Sequence, residues 1–200
     1  MGRRPGLRHF RDLVFPVNVP NVLTVLRILL VPVLVVALLG ETEHGDLLAA
    51  VVFAIASLTD AIDGHLARRS GDITTFGKLM DPVADKLLVV AALVSLVSLD
   101  RLAAWVAMVI IARELSVTLA RVAVSQQGIV VGSNWWGKSK TIVQVAAIFF
   151  VIAYDPTPVW VDGLVLGTVA LTIMSGIDYF FGLRRTLRDD ETRRAMRTAQ

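Results

Sequence analysis

The 200-residue chain has no cysteine, which excludes disulfides and thiolate metal sites. It has three histidines, His9, His44 and His65, too scattered along the chain to form a histidine metal cluster. Any bound metal must therefore be held by carboxylates, a donor set that favours hard cations such as Mg2+, Mn2+ or Ca2+. Charge is scarce as well. Only 18% of residues are Asp, Glu, Lys or Arg, against about 25% in an average soluble domain. With 55% hydrophobic residues and a mean hydropathy of +0.67, the composition points to lipid as the main solvent.

A transmembrane helix needs about 20 largely apolar residues. Candidate spans run over 20–39, 46–64, 76–98, 102–122, 138–154 and 158–182, the second and third with polar, Asp-bearing ends. The expected fold class is an all-α integral membrane protein of six transmembrane helices. The first span does not read as a cleavable signal peptide, because it lacks a small-residue cleavage site and leads directly into further spans. Residues 1–18 carry Arg3, Arg4, Arg8 and Arg11 among Phe10, Leu13, Val14 and Phe15, the pattern of a short amphipathic helix lying on an anionic leaflet. The expected division is thus an arm (1–18), a membrane domain (19–183) and a basic tail (184–200) that is either a solvated helix or disordered. No internal repeat or low-complexity segment is found.

Lys and Arg in short loops set orientation. The arm, the loop with Arg68 and Arg69, the segment with Arg121, Lys138 and Lys140, and the tail together hold roughly 15 of the 20 basic residues. The opposite loops carry Glu41, Glu43, Asp46, Asp100, Asp155 and Asp162, with Arg101 as their sole basic residue. Six spans with both termini cytoplasmic satisfy this asymmetry and place the protein in the cytoplasmic (inner) membrane.

The chemistry concentrates in TDAIDGHLARRSGDITTFGKLMDPVADKL, residues 59–87. On helices Asp60 and Asp63 are an i,i+3 pair and Asp81 and Asp85 an i,i+4 pair, so each pair shares a face. Gly77 lies on the face of the second pair, and Gly64 and Ala67 continue that of the first; small residues there let helices approach closely in a membrane. One ionised Asp within a span costs about 2.5–3.5 kcal/mol on insertion scales. Four close together would repel one another and partly protonate. Divalent cations reverse that logic, and two metals bridged by four carboxylates make a phosphoryl-transfer site. Solvated loop acids, or acids paired with Arg68, Arg69, Lys78 and Lys86, are the structural alternative.

The spacing Asp60-x2-Asp63-Gly64-x2-Ala67-Arg68-x8-Gly77-x3-Asp81-x3-Asp85 matches every fixed position of the signature of the CDP-alcohol phosphotransferase (phosphatidyltransferase) family, which this chain therefore resembles. The resemblance implies a six-helix membrane enzyme, usually a homodimer, with two divalent metals, Mg2+ or Mn2+, at the cytoplasmic boundary. It implies that Asp60 and Asp81 bridge both metals, Asp63 holds one and Asp85 the other, with Asp85 also the general base. Gly64 and Arg68 would contact the CDP moiety, and Thr74, Asn21 and Thr24 are further CDP-lipid contacts on the same ground. The chemistry of the residues agrees: Gly64 lets a nucleotide approach backbone, and Arg68 offers a fork of donors suited to a diphosphate. Asn21 can equally serve as a helix cap and Arg68 as a positive-inside charge.

Four cations follow in the second half. Arg113 lies in the apolar run MVIIARELSV, where a charge needs a partner. Glu114 adjoins it, though adjacent helix residues point in different directions. Arg121 returns to the Arg113 face after about two turns, and Lys138 and Lys140 open the fifth span. A cationic pocket suits an acceptor alcohol carrying its own phosphate. PNVLTVLRILLVPV, IIARELSVTLAR and GKSKT also resemble the corresponding parts of the bacterial phosphatidylglycerophosphate synthases within that family. The reaction implied joins CDP-diacylglycerol and glycerol 3-phosphate, with inositol phosphate, serine or phosphatidylglycerol as competing acceptors. A divalent-cation transporter would instead place acids near mid-membrane on several broken helices. Asp178 either pairs with Arg184 or Arg185 or faces the acceptor; Glu114, Gln144, Ser175 and the Trp135–Trp136 pair read as structural.

Overall fold

A computed structural model describes residues 19–40, 42–70, 75–125 and 135–198; within those ranges the side chains of 19–21, 60–70, 75–82, 125, 135–138, 187 and 189–198 lie outside the description. The described chain is all-helical: α1 (Val19–Leu39), α2 (Gly45–Ser70), α3 (Thr75–Ser98), α4 (Ala104–Ser125), α5 (Trp135–Ala153) and α6 (Val159–Thr198). Each coincides with one expected span to within a few residues, with two exceptions. α2 runs on past residue 64 to Ser70, and α6 continues past residue 182 to Thr198, taking in the basic tail. Hydropathy marks where the solvent changes, and neither helix ends there. The amphipathic helix expected over 1–18 lies outside the described residues.

The chain divides into two units, residues 1–100 with 152–155, and residues 101–151 with 156–200. In the first, α1 packs along both α2 and α3, which also touch each other. α1 and α2 form a tight hairpin: a Cβ on Gly45 would lie 2.6 Å from the Ala37 carbonyl oxygen, so only glycine fits there. The buried stripes are rich in alanine, with Ala49, Phe53 and Ala56 on α2 and Ala84, Leu88 and Ala92 on α3. α3 ends in a turn at Asp100, whose φ of 56° is the left-handed cap conformation usually given to glycine.

In the second unit α4 and α6 pack together. They run parallel, since a Cβ on Gly176 would meet Arg113 Cγ at 3.4 Å and, further along both helices, the Arg121 guanidinium lies over the Tyr179 ring. Val117, Val124, Tyr179 and Leu183 form a small apolar cluster beside that contact. α5 returns antiparallel to α6, held by the edge-to-face pair Phe150–Trp160.

The interior is largely apolar with some buried polar groups, and the surface is apolar as well. Val36, Leu47, Val94, Met108, Ile142 and Phe181, one on each helix, are all more than half exposed. Thr24, Arg27, Ser95, Glu114, Lys140, Gln144, Thr168, Thr172 and Ser175 are buried. Soluble monomers rarely expose contiguous apolar surface on this scale, whereas a chain solvated by lipid has nothing to gain by hiding it. Among the described residues two helices are long and apolar enough to cross a membrane, over Val22–Leu39 and Val159–Thr186, and two carry shorter apolar stretches, Gly45–Thr59 and Ser139–Ala153.

Candidate active site

All four aspartates of the 59–87 segment fall on helix: Asp60 and Asp63 on α2, Asp81 and Asp85 on α3. The α2 acids continue in register the buried Ala49–Phe53–Ala56 stripe, and the α3 acids lie in register with Ala84, Leu88 and Ala92. The side chains of Asp60, Asp63, Asp81, Gly64, Arg68 and Asn21 lie outside the described ones, and Thr74 lies in a segment outside the description altogether. Asp85 is described. Its side chain is 34% exposed, and its Oδ2 accepts a hydrogen bond from Lys86 Nζ at 2.7 Å. Among the described residues no group of three or more His, Cys, Asp or Glu side chains gathers.

The fit of a metal to this segment rests on the chemistry of its donors. Four carboxylates on two touching helices, in a chain without cysteine, make an all-oxygen set suited to a hard divalent cation.

α1 supplies the neighbouring wall. Arg27 is only 1% exposed, and its Nε donates to the Ala56 carbonyl oxygen at 3.4 Å across the hairpin. Because α1 and α2 are antiparallel, one turn back along α1 to Thr24 matches one turn forward along α2 to Asp60. Two turns back, Asn21 reaches the level of Asp63. The register thus brings both α1 positions alongside the first acid pair, and Thr24 is fully buried there. Arg27 is the element that sequence reasoning passed over. The available signal was an Arg within an apolar span, which calls for a polar partner.

Of the four candidate cations, Arg113 and Lys140 come together around Glu114. Lys140, 1% exposed, is ion-paired to Glu114 Oε1 across α4 and α5, and Arg113 Nη1 reaches the same oxygen at 3.5 Å. Arg121 is exposed and stacks on Tyr179, its Cζ 5.9 Å from the ring centroid. The side chains of Lys138, Trp135 and Trp136 lie outside the described ones, and Asp178 is exposed on α6. The interhelical tie Lys140–Glu114 was legible only as two opposite charges interrupting apolar runs, with nothing local to say that they meet.

The sequence pattern of the CDP-alcohol phosphatidyltransferase family matches residues 17–174, from the start of α1 to the middle of α6. The chain belongs to the CDP-alcohol phosphatidyltransferase family. It is 41% identical over 177 residues to a Mycobacterium tuberculosis protein named "Probable phosphatidylglycerophosphate synthase", covering 86% of this chain and 83% of that one. It is 39% identical over 180 residues to the CDP-diacylglycerol–glycerol-3-phosphate 3-phosphatidyltransferase of Bacillus subtilis, covering 82% and 93%. The Haemophilus influenzae protein of the same name is 34% identical over 180 residues, covering 86% and 97%. The match to the CDP-alcohol phosphatidyltransferases holds all eight signature positions, the two α1 positions and all four candidate cations, while Asp178 and Tyr179 fall beyond it.

Proposed function

We propose that the chain transfers a phosphatidyl group from CDP-diacylglycerol to glycerol 3-phosphate, giving phosphatidylglycerophosphate and CMP in phospholipid biosynthesis. The observation that carries this reading is the eight-position acid–glycine–arginine pattern spanning the α2–α3 junction. Near-full-length similarity to relatives named for that reaction supports the acceptor.

In this reading Asp85 accepts the proton of the primary hydroxyl of glycerol 3-phosphate. That oxygen attacks the β-phosphorus of the diphosphate, the bond to the CMP oxygen breaks, and CMP leaves. Lys86 Nζ donates to Asp85 Oδ2 at 2.7 Å and orients that carboxylate. The family generally uses divalent metal ions. Asp60, Asp63, Asp81 and Asp85 would hold two, Mg2+ or Mn2+, which would neutralise charge on the diphosphate and on the departing CMP. Asn21, Thr24, Gly64, Arg68 and Thr74 would seat the CDP-lipid. Arg113, Arg121, Lys138 and Lys140 supply positive field for the acceptor phosphate, Lys140 while shared with Glu114.

The membrane arrangement proposed is six spans with both termini cytoplasmic, an interfacial arm over 1–18, a membrane domain over 19–183 and a tail over 184–200, assembled as a homodimer in the inner membrane with its active site facing the cytoplasm. The exposed apolar side chains on all six helices support the spans, and the distribution of basic residues supports the orientation.

The direct test supplies purified enzyme with CDP-diacylglycerol, divalent metal and a panel of alcohols, and measures CMP release. Glycerol 3-phosphate is expected to be the productive acceptor; release only with inositol phosphate or serine would overturn the assignment. Since the chain lacks cysteine, single introduced cysteines report topology cleanly. Glu43→Cys should react with an impermeant maleimide in intact cells, and Arg188→Cys only after permeabilisation. The opposite pattern would invert the proposed orientation.

A further inference from the structure

α1 carries a single charged residue, Arg27, set in an otherwise apolar run. Its neighbours Leu26 and Leu29 are exposed, whereas Arg27 is 1% exposed and Thr24, one turn earlier, is fully buried. An arginine on a lipid-facing helix ordinarily extends its head group toward the water interface. Arg27 turns inward instead, and among the described residues it is the only buried charge of the first unit. A guanidinium withdrawn from solvent is costly unless opposite charge lies close by.

Its contact on α2 fixes where that charge sits. Arg27 Nε donates to the Ala56 carbonyl oxygen at 3.4 Å. α2 is unbroken from Gly45 to Ser70, so the same oxygen accepts the Asp60 backbone N–H in the helical i→i−4 ladder. The Arg27 side chain and the Asp60 main chain therefore share one acceptor. Position 60 carries the first acid of the signature, and Asp63 follows three residues later. A positive charge is thus held against the backbone of the first acid, within one unit. Away from water a unit charge at that range acts several times more strongly than in bulk solvent.

We propose that Arg27 is a built-in counter-ion of the carboxylate site, offsetting repulsion among the acids in the metal-free protein and opposing the divalent cation when it binds. Without metal, like charges on α2 and α3 destabilise the helix pair, and a fixed guanidinium offsets part of that. Toward a dication the same guanidinium is repulsive, so it weakens metal binding. Arg27 therefore lowers metal affinity and stabilises the metal-free protein. A plain tie between helices would do neither selectively; it would stabilise the metal-free and metal-bound protein alike. The proposal rests on the α2 and α3 acids holding a divalent cation.

The test measures Mn2+ binding by electron paramagnetic resonance, and thermal unfolding with and without Mn2+, on the full-length protein in detergent after chelation. Arg27→Gln removes the charge but keeps a donor for the Ala56 carbonyl, and should lower the Mn2+ dissociation constant by about 10-fold. Its metal-free Tm should fall below that of wild type. Saturating Mn2+ should then raise Tm by more than it does in wild type, since stabilisation by a ligand grows as its dissociation constant falls. Arg27→Lys keeps the charge and should retain a dissociation constant close to that of wild type. Only folded protein binds, so the dissociation constant still reports on a variant that folds poorly. An Arg27→Gln protein whose dissociation constant is unchanged or raised, or whose Tm falls equally with and without Mn2+, overturns the proposal alone. So does an Arg27→Lys protein that shifts as far as Arg27→Gln. Wild-type protein that binds no Mn2+ overturns the metal assignment as well.

Discussion

Breaking the Glu114–Lys140 pair should destabilise the protein asymmetrically. Both side chains are withdrawn from solvent, Lys140 to 1% exposure and Glu114 to 9%. Removing one member of such a pair costs about 3–5 kcal/mol, because the other charge stays buried and loses that partner. The two ends differ in what remains. Lys140→Met leaves Glu114 with Arg113, whose Nη1 is already 3.5 Å from the same oxygen, so the loss should fall near 3 kcal/mol. Glu114→Gln removes the carboxylate oxygen that Lys140 and Arg113 both meet, so two ion pairs are lost in place of one and the loss should approach 5 kcal/mol. The double variant Glu114→Gln/Lys140→Met removes both charges and should recover most of it, since a buried pair replaced by neutral groups is close to break-even. For a chain of this length each kcal/mol moves Tm by about 2–4 °C. The order of Tm values in detergent, followed by tryptophan fluorescence or circular dichroism, should be wild type, then the double variant, then Lys140→Met, then Glu114→Gln. A Lys140→Met protein less stable than Glu114→Gln, or a double variant showing the sum of the single losses, would refute the assignment of Glu114 as the shared counter-charge.

Asp85→Asn should lower turnover by about 100-fold to 10,000-fold, the usual worth of a general base, while CDP-lipid binding measured by equilibrium titration persists; turnover like wild type would remove Asp85 from that role. Chelation should abolish CMP release, and Mg2+ or Mn2+ should restore it. Asp100→Gly should stabilise the protein by about 1 kcal/mol, because glycine does not pay the left-handed penalty at φ 56°, seen as a rise in Tm. Gly45→Ala should destabilise the α1–α2 hairpin, since its methyl would press on the Ala37 carbonyl, and lower Tm with it.

Helix number and approximate position were legible from hydropathy because each helix is long enough to leave an apolar run on the sequence. Helix ends were less so: Ser70 and Thr198 lie beyond the apolar runs, where the backbone stays helical after the solvent changes. The acid segment was legible because its spacing is local, confined to two consecutive helices. The remaining features were hidden because they are contacts between residues distant in sequence. Nothing near Arg27 announces the Ala56 carbonyl, and nothing near Glu114 announces Lys140. Gln144 reads as an ordinary structural polar residue in the sequence, and its missing partner shows only in three dimensions.

α6 is one unbroken helix of 40 residues. At 1.5 Å per residue it is about 60 Å long, twice the roughly 30 Å of a bilayer's hydrocarbon core. Its apolar part ends at Thr186, so in the membrane arrangement proposed above the last turns would stand clear of the lipid as a stiff stalk rather than a loose tether. A fluorophore or fusion partner joined at the C-terminus would be held at a set height above the membrane surface. A tilt of the buried part of α6 would swing that end sideways, so the stalk works as a lever through which a change in the bundle can be read from the water phase.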